Sequence, residues 1–133
     1  MMKTLVLAAV AAMGMATGAL AQEAIEGRWQ TQPDDGALAH IVISPCGSAY
    51  CGVIEKAFDT SGAALPSANI GRQIVIDMVP QGGNYYKGSV WRPSNDKVYI
   101  GDIRINGDQM TLRGCVGVCT PLTSASQTWV RVP

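Results

Sequence analysis

The sequence predicts an all-β domain, most simply a closed barrel of eight antiparallel strands. Three observations lead to this fold class. Helical periodicity is nearly absent after residue 21, eight short β-rich runs recur at intervals of roughly 10 to 13 residues, and each run is followed by Gly, Pro, Asn or Asp. An up-and-down barrel leaves no exposed strand edge, whereas the alternative, an open β-sandwich, keeps its edges.

The chain begins with a segment typical of an export signal, residues 1–21. Lys3 precedes an apolar run, and Ala19 and Ala21 supply the small residues that signal peptidase requires. The apolar run is short for a membrane-spanning helix. We therefore expect cleavage after Ala21, no membrane span in the mature protein, and a single domain over residues 22–133.

Composition narrows the class of protein. The chain carries ten basic and ten acidic residues, a balance that excludes a strongly basic nucleic-acid binder and an acidic disordered tail. No nucleic-acid partner is therefore expected. The sequence also contains no phosphate-binding loop and no histidine-glutamate metal motif, so we expect no cofactor and no metal.

Turn chemistry separates the strands. Residues 33–36, 81–84 and 106–108 carry the Gly, Asn, Asp and Pro combinations of tight turns. One connection, 58–71, is long enough to be functional or mobile. The predicted strands are 27–32, 37–45, 50–57, 72–79, 84–92, 97–105, 108–115 and 125–132.

Alternation within the strands assigns their faces. Ile74, Ile76 and Met78 are predicted to share the buried face of one strand, opposite Gln73 and Asp77. The strand 84–92 has no such pattern, so the direction of its tryptophan stays open. An eight-stranded barrel is either filled by side chains or holds one small ligand. The candidate lining residues of such a pocket are Ile41, Ile76, Met78, Trp91, Tyr99 and Ile103.

Four cysteines form two closely spaced pairs. A four-thiolate zinc site has comparable spacings, but export to an oxidising compartment favours disulfides. Opposed antiparallel residues lie close enough to be bridged, which favours Cys46–Cys51 and Cys115–Cys119. A cross-pair such as Cys46–Cys115 closes a longer loop and is not excluded by energy.

Candidate catalytic residues are few. His40 is the only histidine and lies on the polar face of its predicted strand, and Asp34 and Asp35 are adjacent in a turn. Solvation and turn formation explain these residues without catalysis. The sequence therefore favours a non-enzymatic protein, although aspartates from separate strands could still converge into an enzyme site.

Two resemblances follow from short motifs. Gly27-Arg28-Trp29 near the start and Arg131 near the end resemble the Gly-x-Trp and late-arginine pattern of lipocalins and their relatives. In that family the tryptophan plugs the closed end of the barrel and the arginine packs over it. The resemblance implies the same barrel-closure role for Gly27, Trp29 and Arg131.

A second resemblance covers nearly all of the mature chain and rests on the segments 27–29, 46–54, 88–93, 97–99, 112–115 and 126–132. These segments resemble the exported bacterial family called domain of unknown function 2147. The resemblance implies a lipocalin-like barrel and a periplasmic location, but no agreed activity.

Two functional hypotheses result. The first is a periplasmic binding barrel for a small apolar or amphipathic molecule. The second is a filled barrel whose loops bind a protein, as an inhibitor of an exported hydrolase or an envelope assembly factor, because loops on rigid scaffolds often carry recognition. A continuous cavity larger than about 300 Å³ would favour the first hypothesis.

Overall fold

The computed structural model describes residues 23–133, which form a closed antiparallel barrel. The predicted export signal and its cleavage position lie outside the described residues. Each strand pairs with the next in sequence, and the last pairs with the first through Trp29 and Arg131. The strands are β1 (Gly27–Gln30), β2 (Ala37–Cys46), β3 (Ala49–Asp59), β4 (Gln73–Gly82), β5 (Tyr85–Arg92), β6 (Lys97–Asn106), β7 (Gln109–Cys115) and β8 (Ser124–Val132).

The predicted barrel is confirmed and the open sandwich is wrong. Pairing of β8 with β1 leaves the sheet without a free edge, which is the physical advantage of closure. Within residues 23–133 the chain forms no helix, and the described part therefore has no helix of the length and hydropathy that crossing a bilayer requires.

Alternate connections lie at opposite ends of the barrel, because consecutive strands are antiparallel. At one end, which we call the closed end, two-residue turns at 47–48, 83–84 and 107–108 join the strands. At the other end, which we call the mouth, the longer connections 31–36, 60–72, 93–96 and 116–123 meet.

Large apolar side chains fill the closed half of the barrel. This core surrounds Trp29 and is almost inaccessible to solvent, so it excludes water from the strands that meet there. Its fully buried members are Ile25, Trp29, Ile41, Ile43, Val75, Met78, Tyr86, Ile103 and Met110.

The predicted alternation fails in β4. The pairing of this strand shifts register against both neighbours, and Asp77 has a φ of 47°. Aspartate tolerates this left-handed backbone better than most residues. The irregularity buries Val75 completely and leaves Ile76 half-buried. The expectation that Ile76 shares an inner face with Ile74 and Met78 is therefore wrong.

Candidate functional site

A cavity of about 770 Å³ occupies the mouth half of the barrel. This volume lies in the range of small-molecule sites and well above the threshold that separates the two functional hypotheses. Its apolar wall consists of side chains from β3, β4, β5, β7 and β8, namely Ile54, Ile74, Val90, Leu112 and Trp129.

Small residues keep this half of the barrel hollow. Five glycine and alanine positions line the cavity. At Gly114 an added Cβ would have only ordinary contacts, the nearest to Tyr99 at 3.5 Å. The cavity therefore exists because the sequence supplies little side-chain volume at this level. These positions are Ala37, Ala39, Ala57, Gly114 and Ala125.

Uncharged polar groups surround the apolar wall. The indole Nε1 of Trp129 donates a hydrogen bond of 2.9 Å to Oε1 of Gln127, and Nδ2 of Asn95 donates one of 2.6 Å to the hydroxyl of Tyr99. Further hydroxyl and amide side chains line the same space, so a ligand there would meet an apolar wall and a hydrogen-bonding rim. They belong to Thr31, Gln32, Ser67, Asn69, Ser94, Thr123, Ser124 and Ser126.

An ion pair between Arg92 and Asp34 spans the mouth, where a longer contact of 3.9 Å also joins Arg72 to Asp96. Arg92, at the end of β5, donates two hydrogen bonds of 2.9 Å to the two carboxylate oxygens of Asp34, in the connection between β1 and β2. The hydroxyl of Ser94 donates a third to Asp34, at 3.1 Å. Hydrogen bonding to Arg92 holds the pKa of Asp34 below its usual value, and the same contact raises the pKa of Arg92.

Trp91 lies beside this ion pair and is 5% exposed. The guanidinium of Arg72 lies over its ring, 3.7 Å from the centroid, and Nε1 donates a hydrogen bond of 2.8 Å to Oδ1 of Asp96. Both contacts come from connections at the mouth. The direction of Trp91, which the sequence left open, is thus fixed by groups from 60–72 and 93–96.

The structure divides the six candidate lining residues. Trp91 and Tyr99 line the cavity. Ile41, Met78 and Ile103 instead belong to the packed core of the closed half. Ile76, displaced by the irregularity in β4, packs against that core from a half-buried position.

Several lining residues were not among the sequence candidates. Leu112 carried a recognisable signal, because Met110 and Leu112 alternate with polar residues in β7. Val90 carried none, because it lies in the strand whose faces the sequence left open. Asp34 and Arg92 are 58 residues apart in sequence. Only the closed barrel shows that their connections meet.

The proposed closure residues meet at the closed end. Trp29 is fully buried, and its Nε1 donates a hydrogen bond of 2.9 Å to the carbonyl of Ile25. Gly27 has a φ of 128°, and an added Cβ would lie 2.9 Å from Nη1 of Arg131. Glycine at this position lets the arginine approach the backbone.

Both favoured disulfides are present. Cys46 and Cys51 bridge the turn between β2 and β3 with a Cα–Cα distance of 5.8 Å. Cys115, at the end of β7, is bridged to Cys119 in the mouth connection at 5.1 Å. In the sheet Cys46 pairs with Ala49 rather than with Cys51, so the first bridge runs diagonally. The two bridges lie at opposite ends of the barrel, which separates the cysteines too far for one zinc site.

His40 lies away from the cavity. Its Nε2 is 3.2 Å from Oε1 of Gln30, and its ring packs edge-on against Phe58 with centroids 4.8 Å apart. Partial burial lowers the pKa of His40, a shift that nearby Glu55 opposes. These contacts with neighbouring strands explain the histidine as part of the barrel wall.

Comparison with known proteins agrees with this architecture. Residues 27–131 match the model of a family described as "Uncharacterized protein conserved in bacteria (DUF2147)". In structure the chain is similar to protein HP1028 from the human pathogen Helicobacter pylori, described as belonging to the lipocalin family. The TM-score is 0.64 at 16% identity, over 84% of this chain and 85% of that chain. No curated protein matches the chain in sequence.

Proposed function

The chain belongs to the bacterial DUF2147 family and has a lipocalin-like fold, and from that premise we propose that it is a binding barrel for one small apolar or amphipathic molecule. The observation that carries the proposal is the cavity of about 770 Å³ with an apolar wall and a polar rim. A filled barrel would have no such space, and an eight-stranded barrel has room for one small ligand.

The arrangement of the lining suggests how a ligand would lie. An apolar body would contact Val90, Leu112 and Trp129, while a polar end would face the mouth. Burying apolar surface contributes about 25 cal/mol per Å² before the cost of immobilising the ligand is subtracted. The apolar wall would therefore supply affinity, and the polar rim would supply orientation.

We place this activity in the periplasm. The two disulfides favour an oxidising compartment, and the sequence of residues 1–21 is typical of an export signal. Fractionation of the native host, with the purified protein sequenced from its N-terminus, tests this location. A protein recovered from the cytoplasm with residues 1–21 attached would contradict it.

Native mass spectrometry of the purified protein tests the binding function, because a retained ligand adds its mass to the barrel. A second test is titration with decanol, monitored by the tryptophan fluorescence of the protein, since Trp91 and Trp129 both line the cavity. Gly114→Leu should weaken decanol binding at least about tenfold, since the new side chain occupies the cavity.

Thr111→Leu is the matched control, because it adds the same side chain to the exposed face of the same strand. It should leave decanol binding unchanged. The proposed function fails if the wild-type protein retains no ligand and binds no apolar probe. It also fails if Gly114→Leu binds decanol as the wild type does.

A second candidate function, binding of an envelope protein through the mouth loops, has one observation in its favour. Connection 116–123 presents exposed apolar side chains, with Val118 70% and Leu122 97% exposed. Exposed apolar groups beside one another often mark interaction surfaces. Val118 does not line the cavity. Val118→Asp should therefore abolish cross-linking to such a partner and leave decanol binding intact.

A further inference from the structure

We propose that the cavity selects a ligand whose polar end is uncharged, such as a hydroxyl, amide or ester group. This inference rests on the proposed function and specifies the class of ligand. Asp34 and Arg92 are the only side chains with a full charge among the described residues that line the cavity. Their charges cancel, so the lining of the cavity carries no net charge.

The geometry of the pair leaves little capacity for another ion. Arg92 uses Nε and Nη2 to donate to both oxygens of Asp34, the bidentate arrangement of strong guanidinium–carboxylate pairs. Ser94 donates to the same carboxylate. An anionic ligand that took over these two donors would have to displace Asp34 from Arg92. A cationic ligand would have to displace Arg92 from Asp34.

Displacement is unfavourable because it leaves a charge without its partner. Asp34 is half-buried beside the cavity, and a partly desolvated carboxylate that loses its hydrogen bonds is destabilised. The lowered pKa of Asp34 keeps its carboxylate ionised at neutral pH. The pair therefore persists under the conditions in which a ligand would bind.

The remaining polar groups suit an uncharged end. Hydroxyl groups of Thr31, Ser67 and Ser126, together with the amides of Asn69 and Gln127, both donate and accept hydrogen bonds. Such groups satisfy a hydroxyl or carbonyl without leaving any ion unpaired. A molecule with an apolar body and an uncharged polar end fits this lining.

The test compares three probes with equal chains and different ends: decanol, decanoate and decylamine, titrated at neutral pH below their aggregation concentrations. The wild-type protein should bind decanol at least about tenfold more tightly than either ion. Asp34→Asn should raise the affinity for decanoate relative to decanol by about tenfold, because it releases the guanidinium of Arg92 from its carboxylate.

Glu55→Gln is the matched control. Glu55 accepts two hydrogen bonds from Arg28, of 2.8 and 3.0 Å, in the same bidentate arrangement but away from the cavity. This variant changes the net charge as Asp34→Asn does and should leave the preference among the probes unchanged. If Asp34→Asn prevents folding, Arg92→Gln provides a second test. It should raise the affinity for decylamine relative to decanol.

The outcomes separate this inference from the proposed function. If no probe binds the wild-type protein, the proposed function fails and this inference fails with it. If the wild-type protein prefers decanoate or decylamine to decanol, the binding function stands and the uncharged-ligand inference is overturned. It is also overturned if neither Asp34→Asn nor Arg92→Gln shifts the preference, or if Glu55→Gln shifts it equally.

Discussion

The guanidinium of Arg131 lies over the indole ring of Trp29, with its Cζ atom 4.3 Å from the ring centroid. The same guanidinium donates hydrogen bonds of 2.8 and 2.7 Å to the carbonyls of Glu26 and Ala24. One side chain of β8 thus contacts β1 and fixes the segment that precedes it. At the closed end, this contact adds to the pairing between the first and last strands.

Trp29→Ala should lower the free energy of unfolding by about 3–5 kcal/mol, because it opens a large void beneath Arg131. Arg131→Ala should cost less, since it removes stacking and two hydrogen bonds but leaves a smaller void. The two changes should couple by about 0.5–3 kcal/mol in a double-mutant cycle measured by urea unfolding. As a control, Trp29→Ala and Thr111→Ala should be additive. Additive effects for the first pair would contradict the closure role.

Arg113→Met should destabilise the barrel by about 2–3 kcal/mol, because it removes the partner of a buried carboxylate. Asp102 is 6% exposed and accepts hydrogen bonds from Arg113 and from the hydroxyl of Tyr85, the latter at 3.1 Å. Adding Asp102→Leu to the variant should restore most of the lost stability, since no charge is then left unpaired. Thermal unfolding of the single and the double variant measures their stability. A double variant no more stable than the single one would contradict the assignment.

Gly88→Ala should cost about 1–3 kcal/mol through overpacking. A Cβ at this position would lie 2.5 Å from the carbonyl oxygen of Asp77 and 2.6 Å from that of Ile76, and backbone atoms cannot yield as a side chain does. Gly114→Ala is the matched control and should cost little, since its nearest contact would be 3.5 Å. Denaturant unfolding measures the stability of both variants. If they lose equal stability, the close approach of β4 and β5 does not explain the glycine at position 88.

Tyr86 should make the protein sensitive to alkali. Burial and the nearby carboxylate of Glu23 raise the pKa of Tyr86 from 10.0 to about 12. A raised pKa contributes stability that is fully present below the unfolded value and is lost as pH rises through the folded value. The free energy of unfolding should therefore fall between pH 10 and about pH 12. Tyrosinate absorbance measures the ionisation, and circular dichroism measures the unfolding. Tyr86→Phe should weaken this dependence, and an unchanged profile would contradict it.

Much of the fold could be predicted because strands with one buried face carry a readable pattern. In β6 the inward residues Ile103 and Ile105 alternate with Asp102 and Arg104, and the structure buries both isoleucines. In β4 the pattern misled, since Ile74, Val75 and Ile76 are all apolar. Nothing in three consecutive β-branched residues shows where a strand changes register. The position of the register change becomes visible only in the assembled sheet, at the left-handed backbone of Asp77.

The cavity was harder to predict because it depends on small side chains rather than on large ones. Ala39, Ala57 and Gly114 add little to a hydrophobic pattern whether they face inward or outward, so the sequence does not show that they line one cavity. The prediction of lining residues therefore favoured large side chains. Ile41, Met78 and Ile103 fill the other half of the barrel instead.

This division of the barrel lets the shape of the cavity change independently of folding. Residues at the mouth, such as Ala57 and Gly114, contribute little buried area, so substitutions there can reshape the cavity at small cost to stability. The core around Trp29 meanwhile carries most of the close packing. Descendants of one ancestral barrel could thus diverge in the shape of the cavity while inheriting the same closed half.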